Sequence, residues 1–228
     1  LDGEAVLNPY VIKEVGGYKN LDDKSWYGCC VCISSAGFAL EATASAAYDA
    51  SGNLYLNLYR NGTVSADGVE LEITTGYPYA MDSTIRIKVT KCTGERTVYL
   101  RIPKWDKANT PGYAAYTVTE GTEINYAPDM TPYAIHPSDC VADTTVDHYI
   151  AVRRGPLTYA LDETLDAEPV LPLTDEAIRN AVYTTSANVE CRCALTLTTA
   201  DGTPVTLVDY ASAGQDPDHN VCAWIKTK

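Results

Sequence analysis

The sequence predicts a mainly β protein, in which antiparallel strands form a β-sandwich of one or two jelly-roll-like domains. Short runs of alternating apolar and polar residues recur along the chain, as half-buried strands require. Asn-Gly, Asp-Gly and Thr-Gly pairs close many of these runs, as turns would. Tyrosine occurs 17 times and phenylalanine once, and tyrosine favours strands and half-exposed surfaces. This spacing is typical of a sandwich rather than of a parallel α/β sheet.

The charge balance excludes two classes of partner. The formal net charge is -13, from 30 acidic and 17 basic residues. Such a field repels phosphate backbones, so we expect no nucleic acid partner. The sequence also contains no basic run that would bind anionic lipid, and no apolar stretch of the roughly 20 residues that a membrane helix needs. We therefore expect no membrane partner either.

The N-terminal segment differs from the rest of the chain. It begins at Leu1 without an initiator methionine or a signal peptide, as a piece cut from a longer protein would. Residues 1–28 show no periodic pattern. The alanine-rich stretch at 34–47 contains no proline and predicts a helix, which Ser34 or Ser35 can cap. Its small residues are typical of close packing against neighbours, and the chain does not obviously supply those neighbours.

The strands follow the helix. After Gly52-Asn53 the apolar period changes to two, which is the period of a strand with one buried face. Residues 104–147 are rich in Pro, Thr, Asp and Tyr and predict no definite strand. A short helix is expected at 175–181, because Asp175 and Glu176 suit a first turn. The predicted strands are 54–59, 69–73, 85–89, 98–102, 149–153, 157–161, 194–199, 204–208 and 221–225.

A cluster of cysteines, Cys29-Cys30-Val31-Cys32, is the most distinctive chemical feature. Thiolates bind zinc and act as nucleophiles, and the positive end of a following helix favours the thiolate. Zinc normally takes four ligands, whereas the cluster offers at most three sulfurs. An alternative is that these are buried apolar thiols, since free cysteine is often buried. The three histidines lie far along the chain in no metal-ligand spacing: His136, His148 and His219.

The sequence also contains several short motifs whose order resembles that of a known protein family. They are Asn8-Pro9, Cys29-Cys30, Gly52-Asn53-Leu54-Tyr55-Leu56-Asn57-Leu58-Tyr59, Thr74-Thr75-Gly76-Tyr77-Pro78, Leu100-Arg101-Ile102-Pro103-Lys104-Trp105, Val152-Arg153-Arg154-Gly155-Pro156-Leu157-Thr158-Tyr159-Ala160, Asp209-Tyr210-Ala211-Ser212-Ala213-Gly214 and Ala223-Trp224-Ile225. This order resembles glycoside hydrolase family 127, the bacterial β-L-arabinofuranosidases and the broader group around them. Together the motifs span nearly the whole sequence.

The resemblance implies that the chain is the C-terminal portion of a longer enzyme. Members of the family have an N-terminal (α/α)6 barrel that holds the active site, followed by β-sandwich domains. Residues 1–47 would then be a remnant of the barrel and 48–155 a β-sandwich domain. Residues 156–228 would form a second sandwich or complete the first. The alternative from another class is a non-catalytic β-sandwich module for carbohydrate binding or scaffolding.

The resemblance also implies a mechanism. In the family, one glutamate and three cysteines bind zinc, and the first cysteine of a vicinal pair is the nucleophile of a retaining double displacement. Carried over by position, Cys29 is the catalytic nucleophile, and Cys29 and Cys30 are metal ligands. Val31-Cys32 stands where the characterised enzymes have a proline, so Cys32 is an alternative key thiol.

This sequence departs from the family pattern ahead of the cysteine pair. The remaining zinc ligands and the acid/base glutamate of the family lie well upstream. Here the glutamates before Cys29 are Glu4 and Glu14, and neither lies in a Glu-x-Cys motif. We therefore expect zinc in the parent enzyme, possibly none in this chain, and no glycosidase activity from the chain alone. The expected partners are the missing barrel domain and an arabinofuranoside-type or other plant-derived sugar, and free thiols predict a cytoplasmic location.

Overall fold

The computed structural model describes Gly37, Ala39 and residues 44–140, 144–164, 169–185, 191–214 and 219–227. Within these residues the chain is mostly antiparallel β-sheet, which confirms the predicted fold class. The described residues divide into two compact units, one ending at Asp129 and the other beginning at Met130. Gly37, Ala39 and Ala44 are helical, and the rest of the predicted 34–47 helix up to Ala44 lies outside the described residues.

The first unit contains two four-stranded sheets in its described part. One has the strand order β1-β2-β6-β7 and the other β3-β4-β5-β8. All neighbouring strands are antiparallel except β2 and β6, which are parallel. The strands are β1 (Ala46–Tyr48), β2 (Leu54–Leu56), β3 (Gly62–Ala66), β4 (Val69–Thr75), β5 (Ile85–Cys92), β6 (Arg96–Ile102), β7 (Gly112–Val118) and β8 (Glu123–Tyr126).

A single hydrophobic core joins these two sheets into a sandwich. It is formed by alternate residues of the strands, because successive side chains of a strand point to opposite faces. Along β4 the pattern is strict, with Val69, Leu71 and Ile73 buried and Glu72 exposed. The buried members of the core are Leu54, Leu56, Val69, Leu71, Ile73, Ile85, Ile87, Val89, Val98, Leu100, Ile102, Val118, Ile124 and Tyr126.

The turn between β3 and β4 shows why the sequence folds this way locally. Ala66 pairs with Val69, so Asp67 and Gly68 form a two-residue hairpin loop. Both have positive φ, 30° at Asp67 and 84° at Gly68. A two-residue turn with positive φ at both positions matches the right-handed twist of the strands, and Asp-Gly is a preferred sequence for it. The predicted turn signal therefore sets the register of this sheet edge.

The second unit contains one larger sheet in its described part. Its order is β12-β13-β14-β11-β10-β16, with β15 paired to β11 and β9 to β10. Helix α1 (Asp175–Arg179) forms where the acidic first turn predicts it, and the Thr174 side chain accepts a hydrogen bond from the N–H of Ala177. The strands are β9 (Pro132–Ile135), β10 (Tyr149–Arg154), β11 (Leu157–Glu163), β12 (Val182–Thr185), β13 (Cys193–Thr198), β14 (Pro204–Asp209), β15 (Asn220–Cys222) and β16 (Trp224–Lys226).

Two features of the fold differ from the sequence analysis. The helix predicted to run to residue 47 ends earlier, because β1 begins at Ala46 and pairs with β2. Hydrogen bonding to a neighbouring strand here outweighs the helical preference of alanine. Strands β7, β8 and β9 lie in the segment for which no strand was predicted. In β7 the inward positions hold Ala114, Tyr116 and Val118, so the hydrophobic alternation is weak.

The Gly155-Pro156 turn, where the sequence analysis placed a domain boundary, joins β10 and β11 of one sheet, and Arg154 pairs with Leu157 across it. The two compact units of the described chain divide between Asp129 and Met130. In the part of the chain that the structure describes, no helix is long and apolar enough to cross a membrane.

Three exposed turns are held by aspartate side chains. Asp49 Oδ1 accepts the N–H groups of Ser51 at 2.9 Å and Asn53 at 3.0 Å. Asp82 and Asp201 accept similar bonds in their own turns. These bonds favour the ionised form and hold the pKa of all three carboxyls below the ordinary aspartate value. The largest contributions to these lowered pKa values come from the side chains of Asn53, Arg86 and Thr199 respectively.

These lowered pKa values predict an acid-sensitive fold. The carboxylates stabilise the folded state above the unfolded pKa of about 4, and that contribution is lost as pH falls through 4 toward the lower folded pKa values. In urea unfolding between pH 6 and pH 3, the double variant Asp49→Asn/Asp201→Asn should lose less stability on acidification than the wild type. Glu120→Gln removes an exposed carboxylate in another turn. An equal flattening in Glu120→Gln would attribute the effect to net charge and contradict the prediction.

Candidate functional site

The predicted catalytic and metal-binding residues, Cys29 and Cys30, lie outside the described residues, as does the alternative thiol Cys32. The first continuous described stretch after them in the sequence begins at Ala44, which is helical and precedes β1. Here the Ala44 carbonyl accepts a hydrogen bond from Asn57 Nδ2 at 2.9 Å. The Ser45 carbonyl accepts the N–H groups of Asn57 at 3.0 Å and Leu58 at 3.2 Å. Three hydrogen bonds therefore join the helix end to the chain that follows β2.

The outer face of the β1-β2-β6-β7 sheet carries tyrosines beside this junction. Tyr55 and Tyr99 stack with ring centroids 4.5 Å apart and planes 9° apart. Tyr113 meets Tyr55 edge to face, at 5.4 Å and 86°. The Tyr113 hydroxyl donates to Asn57 Oδ1 at 2.6 Å. The side chain of Asn57 is thus hydrogen-bonded at both ends, to Ala44 and to Tyr113.

A second aromatic group lies near one end of the same sandwich. Tyr77 stacks on Trp105 with centroids 6.4 Å apart, and Tyr59 contacts both Tyr77 and Tyr126. Trp105 is 6% exposed and Tyr126 is 5% exposed, so most of their ring surface is buried in protein. These rings pack on one another, which is the ordinary role of aromatic residues at the rim of a core.

Asp106 is the buried carboxylate of this unit. It is 1% exposed, and its Oδ2 accepts the Tyr126 hydroxyl at 2.6 Å and Asn109 Nδ2 at 3.0 Å. Its Oδ1 accepts the N–H groups of Ala108 at 3.1 Å and Asp129 at 3.2 Å. Burial and the Asp106 hydrogen bond together raise the pKa of Tyr126. Both oxygens of Asp106 are therefore used to hold loops, which suits a structural group better than a general acid.

The second unit has a buried polar cluster on its sheet. The Tyr159 hydroxyl lies 3.3 Å from Cys193 Sγ, and both residues are fully buried. The Arg154 guanidinium carbon lies 3.6 Å from the centroid of the Tyr183 ring. Asp209 Oδ2 accepts the Cys193 N–H at 3.3 Å, while its Oδ1 is buried without a hydrogen-bond partner. Burial raises the pKa of the Cys193 thiol, which disfavours the nucleophilic thiolate.

The described residues supply no metal centre. Among them, no three His, Cys, Asp or Glu side chains come together. Two of the histidines instead contact single carboxylates: His136 Nε2 lies 3.0 Å from Asp175 and His219 Nδ1 lies 3.2 Å from Asp162.

Comparison with protein families gives an assignment for the first unit. Residues 53–136 match the model of the middle domain of the GH127 β-L-arabinofuranosidases. This range is therefore similar to a GH127 middle domain, and we call the sandwich of the first unit the middle domain. The matched range begins just before β2 and ends just after β9, so it includes every strand of the sandwich except β1. A comparison with curated proteins finds no match.

Solved structures share the fold of this chain. The GH127 β-L-arabinofuranosidase Ara127N-Se from Geobacillus stearothermophilus T6 has a TM-score of 0.60 and 18% identity, over 87% of this chain and 38% of that one. The GH127 β-arabinofuranosidase BT3674 has a TM-score of 0.55 and 18% identity, over 77% and 35%. A third structure, described as a glycoside hydrolase, has a TM-score of 0.62 and 18% identity, over 98% and 43%. The chain thus spans less than half the length of each.

Sequence reasoning missed two groups, Asp106 and Asn57. Asp106 directly follows the Trp105 motif, and its residue type is the one weak signal, since Asp commonly accepts the backbone N–H two residues later, here that of Ala108. Asn57 lies within a recognised motif, but its partners at residues 44 and 113 are distant in sequence. Cys193 is fully buried and fills the core as a small apolar residue, as free cysteine often does.

Removing the Asp106 carboxylate should strongly destabilise the middle domain. Asp106→Ala leaves the buried Tyr126 hydroxyl and two backbone N–H groups without their acceptor, at a cost of about 3 kcal/mol or more. Tyr126→Phe removes one donor and leaves the other bonds, so it should cost only about 1 kcal/mol. Urea unfolding of both variants and the double variant measures the difference. Equal losses for the two single variants would contradict this account of Asp106.

Proposed function

We propose that this chain is the C-terminal portion of a retaining GH127 glycoside hydrolase that acts on arabinofuranosides or related plant-derived sugars. The observation that carries the proposal is the GH127 middle domain at residues 53–136, which follows the vicinal pair Cys29-Cys30 in the order expected of the family. The shared fold with two GH127 arabinofuranosidases supports the same arrangement. In the proposed parent enzyme, an N-terminal barrel domain would complete the active site.

Cys29 has the central chemical role in this proposal. Its thiolate attacks the anomeric carbon and forms a C–S bond, while a carboxylic acid donates a proton to the departing oxygen. Water, deprotonated by the same carboxylate, then attacks the anomeric carbon and releases the thiolate, so the configuration is retained. Asp106 is unsuited to the carboxylic acid role because its two oxygens already accept four hydrogen bonds. We therefore assign that role to a glutamate of the parent enzyme.

Zinc fits the chemistry of the cysteine pair. Thiolate sulfurs are preferred zinc ligands, and four donors normally surround the ion. Cys29 and Cys30 would hold it together with donors from the parent enzyme, and Cys32 is the alternative thiol within the cluster. When bound, zinc keeps coordinating thiols deprotonated at neutral pH. Among the described cysteines, Cys92, Cys191 and Cys193 are free, which supports a reducing compartment and hence a cytoplasmic location.

The two described units have a supporting role in this proposal. Tyrosine and tryptophan rings can stack on sugars, and Tyr77, Tyr79 and Trp105 are candidates for such a contact. Trp105 is buried, and Tyr77 packs on it with planes only 12° apart. A sugar-binding platform needs an exposed ring face, so this aromatic group favours scaffolding over carbohydrate binding. The middle domain then serves to hold the catalytic portion in place.

Replacing Cys29 tests the proposal. In the natural full-length protein, Cys29→Ala should lower the turnover of 4-nitrophenyl β-L-arabinofuranoside by a factor on the order of a thousand or more, because the nucleophile is lost. Cys140→Ala, which removes an exposed thiol of the second unit, should leave turnover unchanged. Turnover by Cys29→Ala at the wild-type rate would contradict the proposed role.

The same assay tests whether the chain is active without the rest of the parent enzyme. The 228-residue chain by itself should not hydrolyse this substrate, because no general acid is present in the required position ahead of Cys29. Measurable turnover by the isolated chain, abolished by Cys29→Ala, would show that the missing acid lies within these residues and would overturn this part of the proposal.

A further inference from the structure

The outer face of the β1-β2-β6-β7 sheet, which we call the tyrosine face, differs in charge from the outer face of the opposite sheet. Its outward strand positions hold Ala47, Tyr55, Thr97, Tyr99, Arg101, Tyr113, Ala115 and Thr117. Arg101 is the one charged residue among these eight, in a chain of net charge -13. The outward positions of the opposite sheet include Glu70, Glu72, Arg86, Lys88 and Glu123. The tyrosine face is therefore nearly neutral.

Tyr99 stands between a second tyrosine and an alanine on this face. Tyr55 and Tyr99 are in register on the parallel pair β2 and β6, and Ala115 lies opposite Tyr99 on β7. The Tyr55 and Tyr99 rings stack with centroids 4.5 Å apart and planes 9° apart. Neighbouring strands lie about 4.8 Å apart, so the ring normals run roughly across the strands. One face of the Tyr99 ring therefore lies against Tyr55, and the other points over Ala115.

The space over Ala115 is a slot with one aromatic wall, which we call the Tyr99 slot. Ala115 is exposed, and its methyl group forms the floor. Tyr113 and Thr117 flank this floor along β7, because residues two apart on a strand share a face. In the described part of the sheet, β7 is the last strand, so the slot is open on the side away from Tyr99.

The hydroxyl groups around the Tyr99 slot differ in whether the fold uses them. The Tyr55 hydroxyl donates to Asp49 Oδ2 at 3.4 Å, and the Tyr113 hydroxyl donates to Asn57 Oδ1 at 2.6 Å. Within the part of the chain that the structure describes, three hydroxyls of this face make no hydrogen bond, and they belong to Thr97, Tyr99 and Thr117. These three groups can therefore donate to or accept from a ligand beside the open face of the Tyr99 ring.

We propose that the Tyr99 slot binds a neutral sugar residue of the glycan on which the parent enzyme acts. A sugar ring presents C–H groups on its faces and hydroxyls at its edge. The face of an aromatic ring is its negative side, so it attracts the weakly positive C–H groups, while the free hydroxyls of the slot bind those of the sugar. The inference rests on the proposed function for the class of substrate. It gives the middle domain a binding task in addition to scaffolding.

The composition of the tyrosine face favours a sugar over a protein partner. The buried centre of a stable protein interface is largely apolar, whereas the outward positions of these strands hold no aliphatic side chain larger than alanine. The net charge of -13 would repel an anionic glycan, so the ligand is neutral. Trp105 is buried with Tyr77 packed on it, whereas Tyr99 keeps one ring face directed over an exposed alanine.

Affinity electrophoresis of the full 228-residue chain tests the Tyr99 slot. The gels contain arabinan, arabinoxylan or galactan, and slower migration than in a sugar-free gel measures binding. At least one of these polysaccharides should retard the wild type. Ala115→Leu fills the slot at an exposed position and should abolish the retardation. Ser65→Leu is the matched control, because it adds the same side chain at an exposed position of β3, and it should bind like the wild type.

Variants of Tyr99 separate the ring contact from the hydroxyl. Tyr99→Ala removes the stacking surface and should weaken binding about tenfold, as expected for the loss of one aromatic contact. Tyr99→Phe keeps the ring and should retain most of the affinity. Equal binding by Tyr99→Ala and the wild type would contradict the stacking role.

Three further outcomes would overturn the proposal. The first is a wild type that none of the three polysaccharides retards. The second is equal retardation of the wild type and Ala115→Leu, which would place the sugar elsewhere. The third is a wild-type dimer in sedimentation that Ala115→Leu converts to a monomer without any sugar binding, which would assign the face to a second copy. Binding needs no turnover, so its failure is distinct from failure of the glycosidase proposal, which Cys29→Ala tests.

Discussion

The two sheets of the middle domain share one core, and this constraint determines what each side chain can do. Because a strand has a period of two, placing Leu54 and Leu56 in the core forces Tyr55 to the opposite face of the sheet. Val98 and Leu100 do the same for Tyr99 on the parallel neighbour. A slip of one residue would bury the tyrosines and expose the leucines, so the register is strongly specified. The contacts of Asn57 and Tyr113 depend on that register.

How well the sequence predicts each strand depends on which residues that strand contributes to this core. Where inward positions hold leucine, isoleucine or valine, as in β4 and β5, the alternation predicts the strand and its face. In β7 the inward row includes Ala114 and Tyr116 and the outward row includes Tyr113, so the two faces have similar hydrophobicity. Strand β1 is three residues long and forms by pairing with β2, against the helical preference of its alanines. No local pattern could have predicted it.

The residues of the candidate site differ in whether the sequence alone predicts them. The cysteine pair is visible in the sequence because two adjacent thiols ahead of a helix are chemically unusual. Asp106 and Asn57 are not, because an aspartate or an asparagine in a loop is commonplace in sequence. Their roles arise from partners that the fold brings close, such as Tyr126 for Asp106 and Tyr113, 56 residues away, for Asn57. Such tertiary hydrogen bonds leave no periodic trace in the sequence.

The parallel pairing of β2 with β6 has a consequence for how the middle domain folds. Leu54 pairs with Val98, and the chain between them forms β3, β4 and β5 of the opposite sheet. The loop that this pairing closes is long, whereas the β3–β4 hairpin closes over two residues. Since local contacts form before distant ones, the β3-β4-β5 sheet can assemble first and offer its apolar face as a template. During synthesis, β2 must therefore wait for β6 to emerge before this parallel pairing can form.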